Sequence, residues 1–179
     1  EDATLSKFNE IFGTANNPTK SKLNNWIKKG VSRVFIFYTG HGAPDLETGG
    51  AYLMPVDADP QFITSNGYSL ETFYSNLAQL PAKDVIVVLD ACFSGNSESG
   101  MIHKNISPAM IKVKRASAPS NVTVITSAGM DQVSVWYREK RHSLFTYYFL
   151  KAIGGEADRD KDSRITLKEI KAYLDENVP

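Results

Sequence analysis

Apolar and β-branched side chains dominate three runs of the chain, residues 33–38, 84–90 and 121–128. They are short and rich in β-branched or aromatic residues, which predicts β-strands rather than helices. Strands without a polar face are typical of a parallel sheet that helices cover on both sides. The pattern therefore predicts three strands of a mostly parallel sheet.

The segments before, between and after these strands include several with apolar residues at helical spacing. Residues 4–12 repeat apolar side chains every three or four positions and then meet Gly13, which favours a helix end. A short strand, interrupted by Pro55, is predicted within residues 51–58. Together the elements predict an α/β sandwich with three layers. The remaining predicted helices cover residues 21–29, the segment that begins at Ser69, residues 143–154 and residues 166–178.

Length and charge restrict the kinds of partner. A chain of 179 residues is long enough to bury roughly 70% of its unfolded surface, so one domain over residues 1–179 is expected. Twenty basic residues balance twenty acidic ones, which gives no net field to attract nucleic acid or a membrane. No run approaches the roughly 18 apolar residues of a membrane helix. We expect no nucleic-acid or membrane partner, and a cytoplasmic location.

Two of the predicted strands lead into reactive side chains beside small residues. The strand in "FIFYTGHG" is followed by His41 and Gly42, and the strand in "VVLDACFSG" by Cys92, the one cysteine of the chain. Parallel strands present their carboxyl ends at one edge of a sheet, so His41 and Cys92 are expected to meet there.

A thiol is mostly protonated near neutral pH and needs an adjacent base to become a nucleophile, a role that suits His41. The backbone N–H groups of Gly42 and Cys92 are candidates to stabilise an oxyanion. The alternative is an inert core thiol, which is the usual state of a buried cysteine.

The motifs "YTGHG" and "LDACFSG" resemble the histidine and cysteine motifs of caspase-like cysteine peptidases of clan CD, in particular the prokaryotic caspase-like and metacaspase branch. The segment "SLFTYYFLKAIGGEADRDKDSRITLKEI" is similar to the end of bacterial caspase-like domains, so the resemblance covers residues 1–178. It implies an endopeptidase that acts on polypeptides and requires no cofactor for its chemistry. Asp90 stands where the caspase motif has glutamine, and Phe93 and Ser94 separate Cys92 from the next glycine.

The resemblance also implies an apolar strand and a helix before residue 1, which this sequence does not contain. The expected architecture is a three-layer α/β/α sandwich with a mostly parallel sheet, the caspase-like fold, lacking its first strand. This departure leaves a second function open. The chain could instead be a catalytically inactive caspase-like scaffold or a calcium-binding interaction module.

The resemblance places Asp90 in the specificity pocket. A carboxylate there selects a cation, so cleavage after Arg or Lys is expected. The alternative is that Asp90 caps a turn. Residues 131–137 resemble the strand along which caspase-like enzymes bind substrate by edge addition, and the alternative there is an ordinary edge strand. The further candidate substrate-binding residues are Asp131, Ser134 and Trp136.

The segment 96–120 is rich in polar and basic residues and is expected to be a long loop. It lies where caspases are cleaved into two subunits, and an enzyme specific for basic residues would be able to process itself there. A solvated surface loop is the alternative. Its basic residues are Lys104, Lys112, Lys114 and Arg115.

The acidic segment "DRDKDSRITLKE" matches the spacing of a calcium-binding loop, with Ile165 at the apolar position 8. Ser163 occupies position 6, where glycine is usual. The alternative is a solvated turn in which Thr166 and Glu169 form a helix capping box. The candidate calcium ligands are Asp158, Asp160, Asp162, Arg164 through its carbonyl, Thr166 and Glu169.

Overall fold

The computed structural model describes residues 2–93, 96–97, 100–101, 119, 121–127 and 136–178, with the backbone alone at 96–97, 100–101, 136 and 138. The chain divides into two compact units, Glu1–Val133 and Ser134–Pro179. The single domain over residues 1–179 stays a prediction, and each unit is described by itself.

The first unit contains both helices and strands. Its described helices are α1 (Leu5–Phe12), α2 (Lys22–Trp26), α3 (Ile63–Asn66) and α4 (Leu70–Ala78), with a 3₁₀ turn at Pro60–Phe62. Its described strands are β1 (Arg33–Thr39), β2 (Gly42–Pro44), β3 (Ala51–Leu53), β4 (Tyr68–Ser69), β5 (Asp84–Asp90), β6 (Asn96–Ser97), β7 (Gly100–Met101) and β8 (Val122–Thr126).

The three predicted strands form one parallel sheet in the order β1-β5-β8. This confirms the mixed α/β fold with a parallel sheet. The central strand β5 is buried on both faces, as its continuous apolar run predicts. Strand β1 differs, because it lies at the edge of the described sheet and buries only alternate residues. Phe35 and Phe37 are 58% and 39% exposed, so two-sided burial was wrong for this strand.

Helices α1 and α4 contribute to the core on one face of the sheet. Thr4 caps α1 by accepting a hydrogen bond from the Lys7 N–H, and Gly13 ends it at a φ of 85°. The Tyr68 hydroxyl donates to the Gly13 carbonyl over 2.7 Å, and the Asn76 amide donates to the Phe12 carbonyl over 3.1 Å. These bonds satisfy carbonyls at the end of α1 and tie them to β4 and α4.

A small antiparallel sheet, β2-β3-β4, begins directly after His41. Of its strands only β3 was predicted. Asp45 holds the turn between β2 and β3, since its carboxylate accepts the N–H groups of Glu47 and Thr48. The sheet is joined to His41 itself, since the Met54 N–H, directly after β3, donates to the His41 carbonyl.

The second unit contains strands β9 (Trp136–Tyr137) and β10 (His142–Ser143), which pair in antiparallel fashion, and helices α5 (Leu144–Lys151) and α6 (Leu167–Asn177). Ser143 caps α5 as predicted, and a π-helical turn follows at Ala152–Glu156. Helices α5 and α6 pack against each other. In the described part of the chain, no helix has the length and apolarity that a membrane span requires.

Candidate active site

The register of the parallel sheet brings His41 and Cys92 to the same end of the sheet, where the carboxyl ends of β1 and β5 lie. Strands β1 and β5 pair up to Thr39 and Asp90, and the Gly40 N–H donates to the Asp90 carbonyl over 3.2 Å. His41 and Cys92 each lie two residues beyond that last pair. Because the strands are parallel, His41 and Cys92 follow the same end of the sheet at equal spacing from the last pair.

Gly42 is packed directly against the cysteine loop. A Cβ atom at Gly42 would lie 2.5 Å from Cδ1 of Phe93 and 2.8 Å from the carbonyl oxygen of Cys92. No side chain fits in that space, so only glycine permits this approach. We call residues 40–42, after β1, the histidine loop, and residues 91–93, after β5, the cysteine loop. The contact shows that these two loops meet, which the strand register implies but does not demonstrate.

The side chains of the segment that ends in Cys92 and Phe93 alternate between the two faces of the sheet. Leu89, Ala91 and Phe93 belong to the core on the α1 and α4 side of the sheet. Side chains two residues apart on an extended chain share a face, so Asp90 and Cys92 lie on the opposite face. Cys92 is a partly exposed thiol that forms no disulfide, whereas Asp90 is only 5% exposed. The exposure of Cys92 weighs against an inert core thiol.

The antiparallel pairing of β2 and β3 orients the Gly42 amide. The Met54 N–H donates to the His41 carbonyl over 3.0 Å, and Gly42 lies opposite Leu53 in the ladder. Hydrogen-bonded and non-hydrogen-bonded pairs alternate in such a ladder, so the Gly42 N–H is turned away from β3. This direction suits a group that donates to a substrate.

Tyr38 is a site residue that the sequence analysis missed. Its hydroxyl donates to the His41 carbonyl over 2.7 Å and lies 3.3 Å from the Met54 carbonyl. Burial raises the pKa of Tyr38 to about 12, so the phenol stays protonated and remains a donor at neutral pH. The only sequence signal was its position at the end of β1, three residues before His41.

Several predicted substrate residues fall outside the part that the structure describes. These residues are Asp131 and Ser134, together with the loop residues Lys104, Lys112, Lys114 and Arg115. The backbone of Trp136 belongs to β9, in the second unit.

The acidic loop of the second unit groups three carboxylates. One oxygen from each of Asp158, Asp160 and Asp162 lies within 4.8 Å of the other two. The Ser163 N–H donates to Oδ2 of Asp158 over 3.0 Å, and Ser163 adopts a φ of 65°. Among the described residues, Oδ1 of Asp158 is buried and has no hydrogen-bond partner. Serine at position 6 thus adopts the left-handed conformation that glycine usually supplies.

Glu169 caps helix α6 and also contacts the start of the loop. Thr166 and Glu169 form the predicted capping box, and Oε1 of Glu169 accepts the Arg159 N–H over 3.1 Å. Hydrogen bonds from the Thr166 N–H, the Thr166 hydroxyl and the Arg159 N–H lower the pKa of Glu169. The capping box is therefore present, and it keeps an ionised carboxylate beside the loop.

A histidine and a cysteine that follow neighbouring parallel strands are the residue types of a base and a nucleophile. The family model of the caspase domain matches residues 7–178 of this chain. The chain therefore belongs to the caspase domain family of cysteine peptidases, as its motifs indicated. Among curated proteins, the sequence search finds no match.

Proposed function

We propose that this chain is a cysteine endopeptidase in which Cys92 is the nucleophile and His41 the general base. The observation that supports this most is the contact of Gly42 with Cys92 and Phe93, at the edge where the register aligns His41 with Cys92. The family gives the peptidase class, and the dyad is our assignment.

The reaction proceeds in two stages. His41 takes the proton of the Cys92 thiol, and the sulfur attacks the scissile carbonyl carbon to form a tetrahedral oxyanion. The N–H groups of Gly42 and Cys92 donate to that oxyanion, and each such donor lowers a barrier by about 3 to 4 kcal/mol. His41 protonates the leaving amine, which leaves a thioester. Water, deprotonated by His41, then hydrolyses the thioester and restores the thiol.

We propose further that Asp90 selects substrates with Arg or Lys before the scissile bond. Asp90 lies on the same face as Cys92, two residues away, and is almost wholly buried. A carboxylate removed from water attracts a cation more strongly than an exposed one. The Arg guanidinium can form a two-pronged pair with it, whereas Lys acts as a point charge.

The first prediction concerns peptides that end in Arg, Lys or Asp before a fluorogenic group. The chain is expected to cleave the Arg and Lys peptides only. Asp90→Asn keeps the shape of the side chain but removes its charge, and should lower kcat/KM for the Arg peptide about 100-fold, or about 2.7 kcal/mol.

Asp84→Asn is the matched control, at the opposite end of β5. Asp84 pairs with Arg33 at the surface over 3.1 Å, so its loss should leave cleavage unchanged. Equal rates on Arg and Asp peptides, or no effect of Asp90→Asn, would refute the pocket assignment. An absence of cleavage in every case would favour the inactive scaffold.

Two further features of the substrate path are proposals. The segment 131–137 would bind substrate by edge addition, with its own residues Asp131, Ser134 and Trp136 as the candidates for contact with substrate. Loop 96–120 would be a site of self-processing after its basic residues. For the segment 131–137, the support is that its last two residues form strand β9, which pairs with β10.

We also propose that residues 158–169 bind Ca²⁺. The supporting observations are the three clustered carboxylates and the unpartnered Oδ1 of Asp158 within the described residues. Oxygen ligands of this kind suit a hard cation such as Ca²⁺. The capping box does not compete with this proposal, because Glu169 remains at the loop while it caps α6.

The second prediction is that millimolar CaCl₂ raises the Tm of the chain by about 5 °C and gives a saturable heat in calorimetry. Asp160→Asn combined with Asp162→Asn should abolish both effects because it removes two anionic ligands. Asp175→Asn is the control, since Asp175 pairs with Lys171 on α6 away from the cluster. No heat and no Tm shift in the unmodified chain would exclude the site.

A further inference from the structure

The hydroxyl of Tyr38 contacts the peptide group that joins His41 to Gly42. It donates to the carbonyl oxygen of His41 over 2.7 Å, and the Met54 N–H donates to the same oxygen over 3.0 Å. The ring of Tyr38 is anchored in turn by an edge contact with Phe8, at 6.2 Å between centroids. One carbonyl is thus held by two donors, one in strand β1 and the other in the residue that directly follows β3.

Holding that carbonyl also sets the direction of the next amide. A trans peptide group is planar, and its C=O and N–H bonds point in opposite directions. No cis peptide bond occurs among the described residues. A His41 carbonyl directed toward Tyr38 and Met54 therefore directs the Gly42 N–H away from them.

We propose that Tyr38 is a positioning residue, which fixes the orientation of the His41–Gly42 peptide so that the Gly42 N–H donates to the oxyanion. The inference rests on the proposed function, because it assigns a support to that oxyanion donor. Tyr38 touches neither substrate nor the reacting atoms. Its effect on the reaction passes through the peptide group.

Gly40 supports the same arrangement. A Cβ atom at Gly40 would lie 2.8 Å from the hydroxyl oxygen of Tyr38 and 3.0 Å from its Cζ. Because Gly40 has no side chain, the phenol of Tyr38 has room to pack against the backbone of the histidine loop. Gly40→Ala should therefore displace the hydroxyl without removing it.

Tyr38→Phe is the third prediction, measured on the Arg peptide. The value of kcat should fall about 10-fold to 100-fold with little change in KM, less than the loss from deleting an oxyanion donor outright. A peptide aldehyde, which forms a tetrahedral adduct with an oxyanion, should bind more weakly by a similar factor. Alkylation of Cys92 by iodoacetamide, which forms no oxyanion, should keep its rate. Cys92 is the one cysteine, so alkylation reports on it alone.

Tyr68→Phe is the matched control. Tyr68 also has a buried hydroxyl that donates to a backbone carbonyl over 2.7 Å, but its partner is Gly13. It should lose similar stability and keep its kcat. Gly40→Ala is the second variant, with the same kinetic pattern expected as for Tyr38→Phe.

Three outcomes overturn the inference. They are an unchanged kcat in both Tyr38→Phe and Gly40→Ala, an equal loss of kcat in Tyr68→Phe, and a fall in alkylation that matches the fall in kcat. If the unmodified chain cleaves no peptide, the proposed function itself fails, which is a distinct result.

Discussion

Cys92→Ala abolishes hydrolysis of the Arg peptide, with kcat/KM reduced at least about 10⁴-fold. The expectation follows from the chemistry, because no other group at this edge of the described sheet can form the thioester. Cys92 is partly exposed, so deletion of its sulfur leaves a small cavity and should shift the Tm by less than about 2 °C. Steady-state kinetics and thermal unfolding on the same samples measure both effects.

The same pair of samples reports on self-processing. Fragments produced by cleavage within loop 96–120 should appear in the unmodified chain and be absent in Cys92→Ala.

His41→Ala is the companion variant, and it should reduce kcat/KM to a similar extent because the thiol then lacks its base. If Cys92→Ala keeps more than a tenth of the activity, the nucleophile lies elsewhere.

Gly42→Ala has the second largest expected effect. The added methyl group would lie 2.5 Å from the Phe93 ring and 2.8 Å from the Cys92 carbonyl, and the backbone oxygen cannot rotate away as a flexible side chain would. The histidine and cysteine loops must separate, which misplaces the base and the oxyanion donor together. We expect kcat/KM to fall about 10²-fold to 10³-fold. Overpacking should also cost about 1 to 3 kcal/mol of unfolding free energy.

Gly154→Ala is the control for the glycine substitution. A Cβ atom at Gly154 meets no atom within 4 Å, and Gly154 is not among the glycines with positive φ. Its activity and stability should be close to those of the unmodified chain. If Gly42→Ala is as active as Gly154→Ala, the close contact between the two loops plays no part in the reaction.

The central sheet could be predicted from the sequence because its signals are local. The run of residues 84–90 coincides with β5, and Thr4, Ser69, Ser143 and Thr166 cap helices near the predicted starts. Burial of β1 could not be predicted the same way. An apolar run shows that a strand exists, but exposure of Phe35 depends on which elements cover that face.

The small antiparallel sheet was mostly missed for a different reason. Strands of two or three residues, such as Gly42–Pro44 and Tyr68–Ser69, are too short to show any periodicity. Their pairing is decided by tertiary contacts beside the histidine loop.

For the site, chain topology was enough to expect His41 and Cys92 together, since parallel strands end at one edge. The Gly42 N–H was expected as an oxyanion donor, but its direction and its support by Tyr38 depend on the orientation of a single peptide group, which residue types do not encode. That Phe93 leaves no space for a side chain at position 42 became evident only from the structure.

The central claim is that Cys92 is the nucleophile, and covalent labelling tests it most directly. A peptidyl acyloxymethyl ketone that ends in Arg should alkylate the chain once. The Cys92 sulfur then binds the methylene carbon and the carboxylate leaves, so the chain gains the mass of the inhibitor less that of the carboxylic acid, and peptide mapping should place this mass on Cys92. His41→Ala should label far more slowly, and Cys92→Ala should not label. An unlabelled chain, or a label on any residue other than Cys92, would contradict the assignment.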